Sequence, residues 1–235
     1  MAIFAIADLH LSLGTDKPMG VFGSHWEHHE EKISSAWREL IRPTDTVLIP
    51  GDISWAMTLP EALPDLRFLH ELPGTKILSK GNHDYWWGTN GKVEAFLAEN
   101  GLHTLRLLKN NAYLIEGRAV CGSRGWILPQ DPAFTASDRT IYERELMRLT
   151  RSLEAGARLA KESGGDILAL VHYPPLPASG ADTDFTRCIE AFGVSLCIYG
   201  HLHGRGHKSA FEGVKNHVRY QLVAGDYIAF KPLRL

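Results

Sequence analysis

Five short apolar runs in this 235-residue chain are each followed, within four residues, by Asp, Asn or His. The runs cover residues 3–7, 47–50, 77–78, 167–171 and 196–199. The segments that contain the polar residues are Asp8-Leu9-His10, Gly51-Asp52, Gly81-Asn82-His83-Asp84, His172 and Gly200-His201-Leu202-His203. Continuous apolar runs are typical of strands covered on both faces, and open α/β sheets bind ligands beyond the carboxyl ends of their strands. The pattern therefore predicts an α/β fold with a polar site at one sheet edge.

Each of these segments has an ordinary structural interpretation when it is taken alone. Gly, Asn and Asp are turn formers, and a single His at a strand end is usually structural. Five strand ends that carry only Asp, Asn and His are hard to explain by sheet stability. Oxygen and imidazole donors without thiolate suit Mn²⁺, Fe or Zn²⁺ in a catalytic site. In an extended strand end, residues i and i+2 point the same way, so Asp8 with His10 and His201 with His203 are expected to face one cavity.

No Gly/Ser-rich or charged linker divides the chain, which favours a single domain over residues 1–235. Strands and helices alternate up to residue 101, which predicts parallel βαβ units. Two sequences resemble helix-starting capping boxes, Ser24-x-x-Glu27 and Thr58-x-x-Glu61. Residues 113–121 predict a hairpin that turns at Glu116-Gly117, residues 138–162 predict the longest helix, and a second hairpin is predicted after His203.

Composition excludes several classes of protein. The net charge of −2 and the absence of a long basic block argue against strong non-specific nucleic-acid binding. Three widely spaced cysteines indicate free thiols in a reducing compartment. The sequence shows no secretion signal, and none of its apolar runs approaches the roughly 20 residues that cross a bilayer. We therefore expect a cytoplasmic protein without a membrane span.

The five polar segments, in this order, resemble those of the calcineurin-like metallophosphoesterase superfamily. They extend from residue 8 to residue 203, so the resemblance covers most of the chain. It implies a four-layer α/β/β/α sandwich of two mixed sheets flanked by helices. It also implies two divalent metal ions, with Mn²⁺, Fe and Zn²⁺ as the expected identities.

The resemblance assigns ligands to both metals. Asp52 would bridge the two ions. Asp8, His10 and His203 would complete one metal, and Asn82, His172 and His201 would complete the other. By the same resemblance, His83 would be a general acid that protonates the leaving oxygen, and Asp84 would hold its imidazole. The alternative for Asp84 is a cap at the start of the following helix.

Substrate contacts are less constrained by the sequence. Trp55, Tyr85, Trp86 and Trp87 flank the predicted ligand loops, where aromatic rings either stack on a nucleobase or aryl group or simply pack the loops. Arg124 is a candidate for a phosphate contact, with an ordinary surface arginine as the alternative. His25, His28 and His29 form either a further metal site or a polar helix start near the site's rim.

The resemblance implies a dinuclear-metal phosphoesterase in which a metal-bound hydroxide attacks a phosphodiester or phosphomonoester. The expected partner is a small phosphorylated substrate, such as a nucleotide or cyclic nucleotide. Ile53-Ser54-Trp55-Ala56 and Ser79-Lys80 stand where Ser/Thr protein phosphatases carry Asp-Arg-Gly and an Arg, which argues against that branch. A non-catalytic scaffold of the same fold is the alternative, but this chain retains every ligand position and His83.

Overall fold

The computed structural model describes residues 1–235, and two β-sheets form its centre. The first sheet has five strands in the order β11-β1-β2-β3-β4. Its strands are β1 (Ile3–Ala5), β2 (Thr46–Pro50), β3 (Thr75–Ser79), β4 (Leu105–Leu107) and β11 (Leu233–Arg234). Strands β1 to β4 are parallel, and β11 pairs antiparallel with β1. The predicted parallel βαβ units are thus confirmed.

The second sheet has six strands in the order β5-β6-β7-β8-β10-β9. These are β5 (Tyr113–Ile115), β6 (Arg118–Ser123), β7 (Ile167–Val171), β8 (Val194–Tyr199), β9 (Gly213–Lys215) and β10 (Val218–Leu222). Strands β6, β7, β8 and β10 are parallel, whereas the outer strands β5 and β9 run antiparallel to their neighbours. Both sheets are therefore mixed, and both predicted hairpins are present. The first hairpin turns at Glu116 and Gly117, which have φ values of 51° and 76°.

Helices cover the outer face of each sheet. The first sheet carries α1 (His29–Leu40), α2 (Leu59–Glu71) and α3 (Asn90–Glu99), and the second carries α4 (Ala136–Ser163) and α5 (Asp184–Ala191). The Thr58–Glu61 capping box is confirmed at the start of α2. The Ser24 capping box is wrong: residues 24–26 form a separate 3₁₀ turn, and α1 begins only after His28, whose φ of 54° interrupts the helix.

Three layers of apolar contacts hold four layers of structure together. One cluster lies between the first sheet and its helices, a second between the second sheet and its helices, and a third between the two sheets. Successive side chains of a strand point to opposite faces of the sheet, so neighbouring residues enter different clusters. Phe4 joins the outer cluster of the first sheet, whereas its neighbours Ile3 and Ala5 join the cluster between the sheets. The predicted α/β/β/α sandwich is confirmed.

The remaining general predictions concern thiols and membrane spans. Cys121, Cys188 and Cys197 are free thiols, and Cys121 and Cys197 are buried in the cluster between the second sheet and its helices. None of the helices is both long enough and apolar enough to traverse a bilayer.

Candidate metal centre

The candidate centre is built from loops that leave the carboxyl ends of strands in both sheets. The loops after β1 and β2 run side by side, because Asp8 N donates to Gly51 O and His10 N donates to Asp52 O, each at 3.0 Å. Close contact between the loops after β2 and β3 requires glycine. A Cβ atom on Gly81 would lie 2.1 Å from Asp52 Oδ1. The sequence thus brings three polar loops of the first sheet together.

Asp8, His10 and His203 form the first group of possible metal ligands. His10 Nε2 lies 3.2 Å from His203 Nε2, and the latter lies 3.6 Å from Asp8 Oδ1. Asp8 is fully buried, and its two carboxylate oxygens accept hydrogen bonds from the His201 backbone N–H at 3.1 and 2.9 Å. The first and last polar segments of the sequence therefore meet in one place.

Asp52, His172 and His201 form the second group, and the Asn82 side chain lies within it. Asn82 Oδ1 lies 2.7 Å from His172 Nε2 and 2.9 Å from His201 Nδ1. His172 Nδ1 lies 3.0 Å from Pro50 O. Because a carbonyl oxygen only accepts, this bond places a proton on Nδ1 and directs Nε2 toward the group.

Asp52 lies between the two groups. Its Oδ2 atom is 3.8 Å from His10 Nε2 and 3.4 Å from His172 Nε2. Its Oδ1 atom accepts a hydrogen bond from the His83 backbone N–H at 2.8 Å. Asp52 Oδ2 thus faces Nε2 atoms of both groups, which is the position that a bridging ligand needs. Asp8 Oδ1 also lies 3.7 Å from His172, but from the Nδ1 atom that is turned toward Pro50 O.

The protonation of the imidazoles is consistent with a metal site. Burial lowers the pKa of His10 and of His201 to about 3, so both rings are neutral at pH 7. Burial also acts on His172, but Asp52 and Asp8 outweigh it and raise the pKa of His172 to about 9. Asp226 and Asp8 similarly outweigh burial and raise the pKa of His203 to about 10. Divalent cations would replace the protons that these carboxylates attract.

Four of the candidate ligands have left-handed backbone conformations. The φ angles of Asp8, His10, Asp52 and His201 are 57°, 46°, 50° and 73°. Asp8 and His10 do face one site, as predicted, but not as i and i+2 of an extended strand end, because β1 ends at Ala5 and left-handed turns aim the two side chains. Each such residue costs about 1–3 kcal/mol, a strain that is concentrated at functional sites.

Asp226 is a residue of the site that the sequence interpretation missed. Its Oδ1 atom lies 2.9 Å from His203 Nδ1, and its Oδ2 atom lies 3.2 Å from His207 Nε2. A carboxylate behind a ligating His fixes the tautomer and the orientation of the ring. The signal was present, because Gly225-Asp226 follows an apolar strand just as Gly51-Asp52 does.

His83 and Asp84 are not paired. The Asp84 carboxylate is fully buried and accepts hydrogen bonds from the backbone N–H groups of Gly81, Ile53 and Ser54 at 2.7, 2.9 and 3.2 Å. The predicted contact of Asp84 with the His83 imidazole is therefore absent, and Asp84 braces the loops after β2 and β3 instead. Burial lowers the pKa of His83, and its Nδ1 atom has no hydrogen-bond partner in the protein.

A cavity of about 470 Å³ opens onto the candidate centre. His10, His83 and His203 line it together with Trp55, Trp26, Phe22 and Met19. Trp55 stacks on His10 with a centroid distance of 4.8 Å, and Lys17 Nζ lies 3.1 Å from the centroid of the Trp55 ring system. Trp55 is thus positioned to contact a ligand in this cavity.

The other aromatic candidates are divided between core and surface. Trp86 and Trp87 are buried among the helices of the first sheet, so the packing interpretation is correct for both. Tyr85 is exposed and lies 6.2 Å from His83 between ring centroids. Tyr85 therefore remains a candidate for a substrate contact at the rim.

Arg124 does not line this cavity. Its Nη2 atom donates to Glu145 Oε1 at 3.1 Å, and it borders a separate cavity beside α4. Its backbone carbonyl accepts hydrogen bonds from His172 N and Tyr173 N, both at 3.0 Å. Arg124 thus contacts the loop that carries His172 through its backbone and not through its guanidinium.

His25, His28 and His29 do not converge on a metal site. His29 is buried, with its Nε2 atom 3.1 Å from Leu9 O, and His28 is exposed. His25 alone lines the cavity, and its Nε2 atom lies 3.9 Å from Asp226 Oδ2. The interpretation as a polar helix start near the rim fits this arrangement better.

Comparison with known proteins gives the family to which the chain belongs. A crystal structure of a protein of unknown function from Aquifex aeolicus is 17% identical over 99% of this chain and 95% of that chain, with a TM-score of 0.46. A second crystal structure is 13% identical over 93% of this chain and 88% of that chain, with a TM-score of 0.54. No curated protein sequence matches significantly. The family model for calcineurin-like phosphoesterases matches residues 1–205, so the chain belongs to the calcineurin-like phosphoesterase family.

Proposed function

We propose that this protein is a two-metal phosphohydrolase that cleaves phosphodiesters or nucleotides, with small phosphomonoesters as further substrates. The observation that carries the proposal is the position of Asp52 Oδ2 between the groups that contain His10 and His172. The expected metals are Mn²⁺, Fe and Zn²⁺, because the donors are oxygen and imidazole nitrogen. Its free thiols support a reducing compartment such as the cytoplasm.

In this proposal each chemical role belongs to a named group of the chain. Asp52 would bridge both metals, with Asp8, His10 and His203 on one side and Asn82, His172 and His201 on the other. The bound metals would neutralise phosphate charge and activate water near neutral pH. Asp226 would hold His203, and Pro50 O would hold His172, so that their ring nitrogens keep a fixed direction.

His83 would donate a proton to the leaving oxygen. It lines the same cavity as His10 and His203, and its backbone N–H is tied to Asp52. Burial favours the neutral ring in the free protein, but an anionic phosphate beside the imidazole would raise its pKa and favour the protonated acid. In this proposal the negative charge of the substrate, and not that of Asp84, favours the protonated form of His83.

Trp55 would contact the organic part of the substrate. The ring borders the cavity beside His83, at 4.4 Å between centroids, and Phe22 lies parallel to it at 6.5 Å. Such a wall favours a nucleobase or an aryl group, because every base offers a π-face for stacking. Tyr85 would contribute at the rim, and the Arg124 guanidinium would not contact the reacting phosphate.

The test combines metal analysis with a substrate panel. Purified protein is loaded with Mn²⁺, Ni²⁺, Zn²⁺ or Fe²⁺, and bound metal and hydrolysis of bis-p-nitrophenyl phosphate, p-nitrophenyl phosphate and 2′,3′-cyclic AMP are measured. We expect roughly two metals per chain, as in other two-metal sites, and activity that chelation abolishes. Metal-loaded protein that hydrolyses none of these esters would favour the scaffold alternative.

A further inference from the structure

A second cavity, of about 250 Å³, lies between the ends of β3 and β6 and the side of α4. Five cationic side chains line it: Lys80, Lys109, Arg124, Arg144 and Arg148. Glu145 is the single carboxylate among the lining residues. The cavity is separate from the aromatic cavity that opens onto the candidate metal centre, since the two share no lining residue.

Glu145 compensates only part of this charge. The buried carboxylate accepts from Arg124 Nη2 at 3.1 Å and from Arg148 Nη1 at 2.6 Å, which explains those two arginines structurally. Lys80 Nζ donates to the Trp87 carbonyl at 2.7 Å, a neutral acceptor. The Lys109 ammonium and the Arg144 guanidinium have no side-chain hydrogen bond or ion pair in the protein, and Arg124 Nε is buried without a partner.

The buried, unpartnered Arg124 Nε atom and the partly buried Lys109 ammonium distinguish this cavity from an ordinary solvated face, although Arg144 itself is exposed. Cations on a surface normally spread apart, but here five converge on one concavity with one carboxylate. Burial and the nearby charges of Arg148, Arg124 and Arg144 lower the pKa of Lys109, so an anion placed there would relieve their repulsion. Arginine also presents a planar array of donors that matches phosphate geometry.

We propose that this cavity binds a phosphate-class dianion. Pockets for drug-sized molecules measure about 300–1,000 Å³, so a cavity of this size suits one phosphate group better than a whole nucleotide. The phosphate comes either from inorganic phosphate or from a second phosphate on the substrate. The second source is included because the cavity borders two loops of the candidate centre: Lys80 directly precedes Gly81-Asn82, and the Arg124 carbonyl accepts a hydrogen bond from His172 N at 3.0 Å.

The test measures binding of inorganic phosphate to the full-length chain by calorimetry, in metal-loaded and in chelator-treated protein. Chelation removes any phosphate site at the metals, whereas the cavity site persists. The test variant is Lys109→Gln with Arg144→Gln, because neither side chain holds Glu145. The matched control is Arg158→Gln with Lys161→Gln, which removes two exposed cations from α4 outside the cavity. Circular dichroism checks that all variants fold.

We expect one phosphate per chelator-treated chain, binding at least about tenfold more weakly to the test variant and unchanged in the control. The charge-conserving pair Lys109→Arg with Arg144→Lys should retain binding. Absence of saturable phosphate binding, or equal binding by the test variant and wild type, would overturn the proposal. The phosphate titration uses metal-free protein, so its outcome does not depend on whether the protein is a phosphohydrolase.

The source of the phosphate is distinguished with adenosine 3′,5′-bisphosphate and AMP as ligands of metal-loaded protein. A substrate-borne second phosphate predicts that the bisphosphate binds more tightly than AMP, and that the test variant loses this advantage. Inorganic phosphate as the ligand predicts no difference between the two nucleotides, while free phosphate still binds the cavity. If both nucleotides bind equally and inorganic phosphate does not bind the cavity, neither source of the phosphate is supported and the proposal is overturned.

Discussion

The His203 Nδ1 atom lies 2.9 Å from the Asp226 Oδ1 atom, and the other ring nitrogen of His203 faces Asp8 and His10. Asp226 therefore stands behind His203 as an orienting carboxylate. It comes from the turn after β10, whereas His203 follows β8. The parallel pairing of these two strands brings the two residues together.

We expect Asp226→Asn to lower the affinity for metal, although Asp226 acts only through His203 and is not itself a proposed ligand. Loss of the carboxylate leaves the His203 ring less basic and less firmly oriented, which typically costs 10–100-fold in metal affinity or activity, so about that loss is predicted. Metal affinity by competition with a chelating dye and kcat on bis-p-nitrophenyl phosphate would measure it. Glu143→Gln, on the exposed side of α4, is the control and should change neither.

A second prediction concerns Asp52. Asp52→Asn should lower metal content at both positions, whereas Asp8→Asn should mainly deplete one, because only Asp52 Oδ2 faces both His10 and His172. We expect the Asp52 variant to lose more than about 100-fold in activity, beyond the usual effect of an outer-shell change. Metal analysis of both purified variants and rates on one diester decide the comparison. Equal depletion by the two variants would contradict the bridging position.

Sequence patterns predicted which residues meet at the centre, because strand ends of parallel sheets lie at a common edge. They could not predict how the residues meet. The left-handed conformations of Asp8 and His10 depend on backbone hydrogen bonds to Gly51 and Asp52, more than forty positions away in sequence. Asp84 was misassigned for the same reason: its partners Ile53 and Ser54 come from another loop. Tertiary contacts, and not local spacing, decide such roles.

A third prediction tests His83 as general acid. His83→Ala removes the imidazole but keeps the backbone N–H that binds Asp52 Oδ1, so bound metal should remain near wild type. Esters with poor leaving groups, such as 2′,3′-cyclic AMP, should slow by about 10²–10⁴-fold, the usual scale of general-acid catalysis. Nitrophenyl esters should slow much less, since nitrophenolate leaves without a proton. Uniform loss on both substrates with depleted metal would instead indicate a loop-bracing role.

A fourth prediction concerns Trp55 as a stacking wall. Trp55→Leu should raise KM for aryl or base-bearing diesters more than for matched alkyl diesters, since each stacking contact contributes about 1–3 kcal/mol. Because Trp55 also stacks on His10, metal content must be measured alongside the kinetics. Tyr85→Leu, at the exposed rim, provides the comparison. Equal effects on aryl and alkyl substrates at full metal content would remove the support for stacking.

The last prediction concerns stability and pH at Asp65, a buried carboxylate on α2 that belongs to neither group of candidate ligands. It accepts hydrogen bonds from Leu13 N at 2.8 Å and from the Ser54 hydroxyl. Burial outweighs these bonds and raises the pKa of Asp65 from 3.8 to about 6. Since the folded state holds this proton more tightly than the unfolded chain, its stabilising contribution is complete below pH 3.8 and is lost as pH rises through 6.

Asp65→Asn keeps the acceptor for Leu13 N and cannot ionise. The unfolding free energy of Asp65→Asn relative to wild type should therefore rise between pH 4 and pH 6.5. The expected rise is about 2 kcal/mol, because most of the roughly two-unit pKa difference, at about 1.4 kcal/mol per unit, takes effect within this range. Urea titrations of both proteins across this pH range measure the shift, and subtraction of the wild-type curve cancels the other titrating groups. Asp131→Asn, on an exposed loop, is the matched control for removal of one carboxylate. A flat difference for Asp65→Asn would mean that Asp65 is already ionised in the folded protein throughout this range.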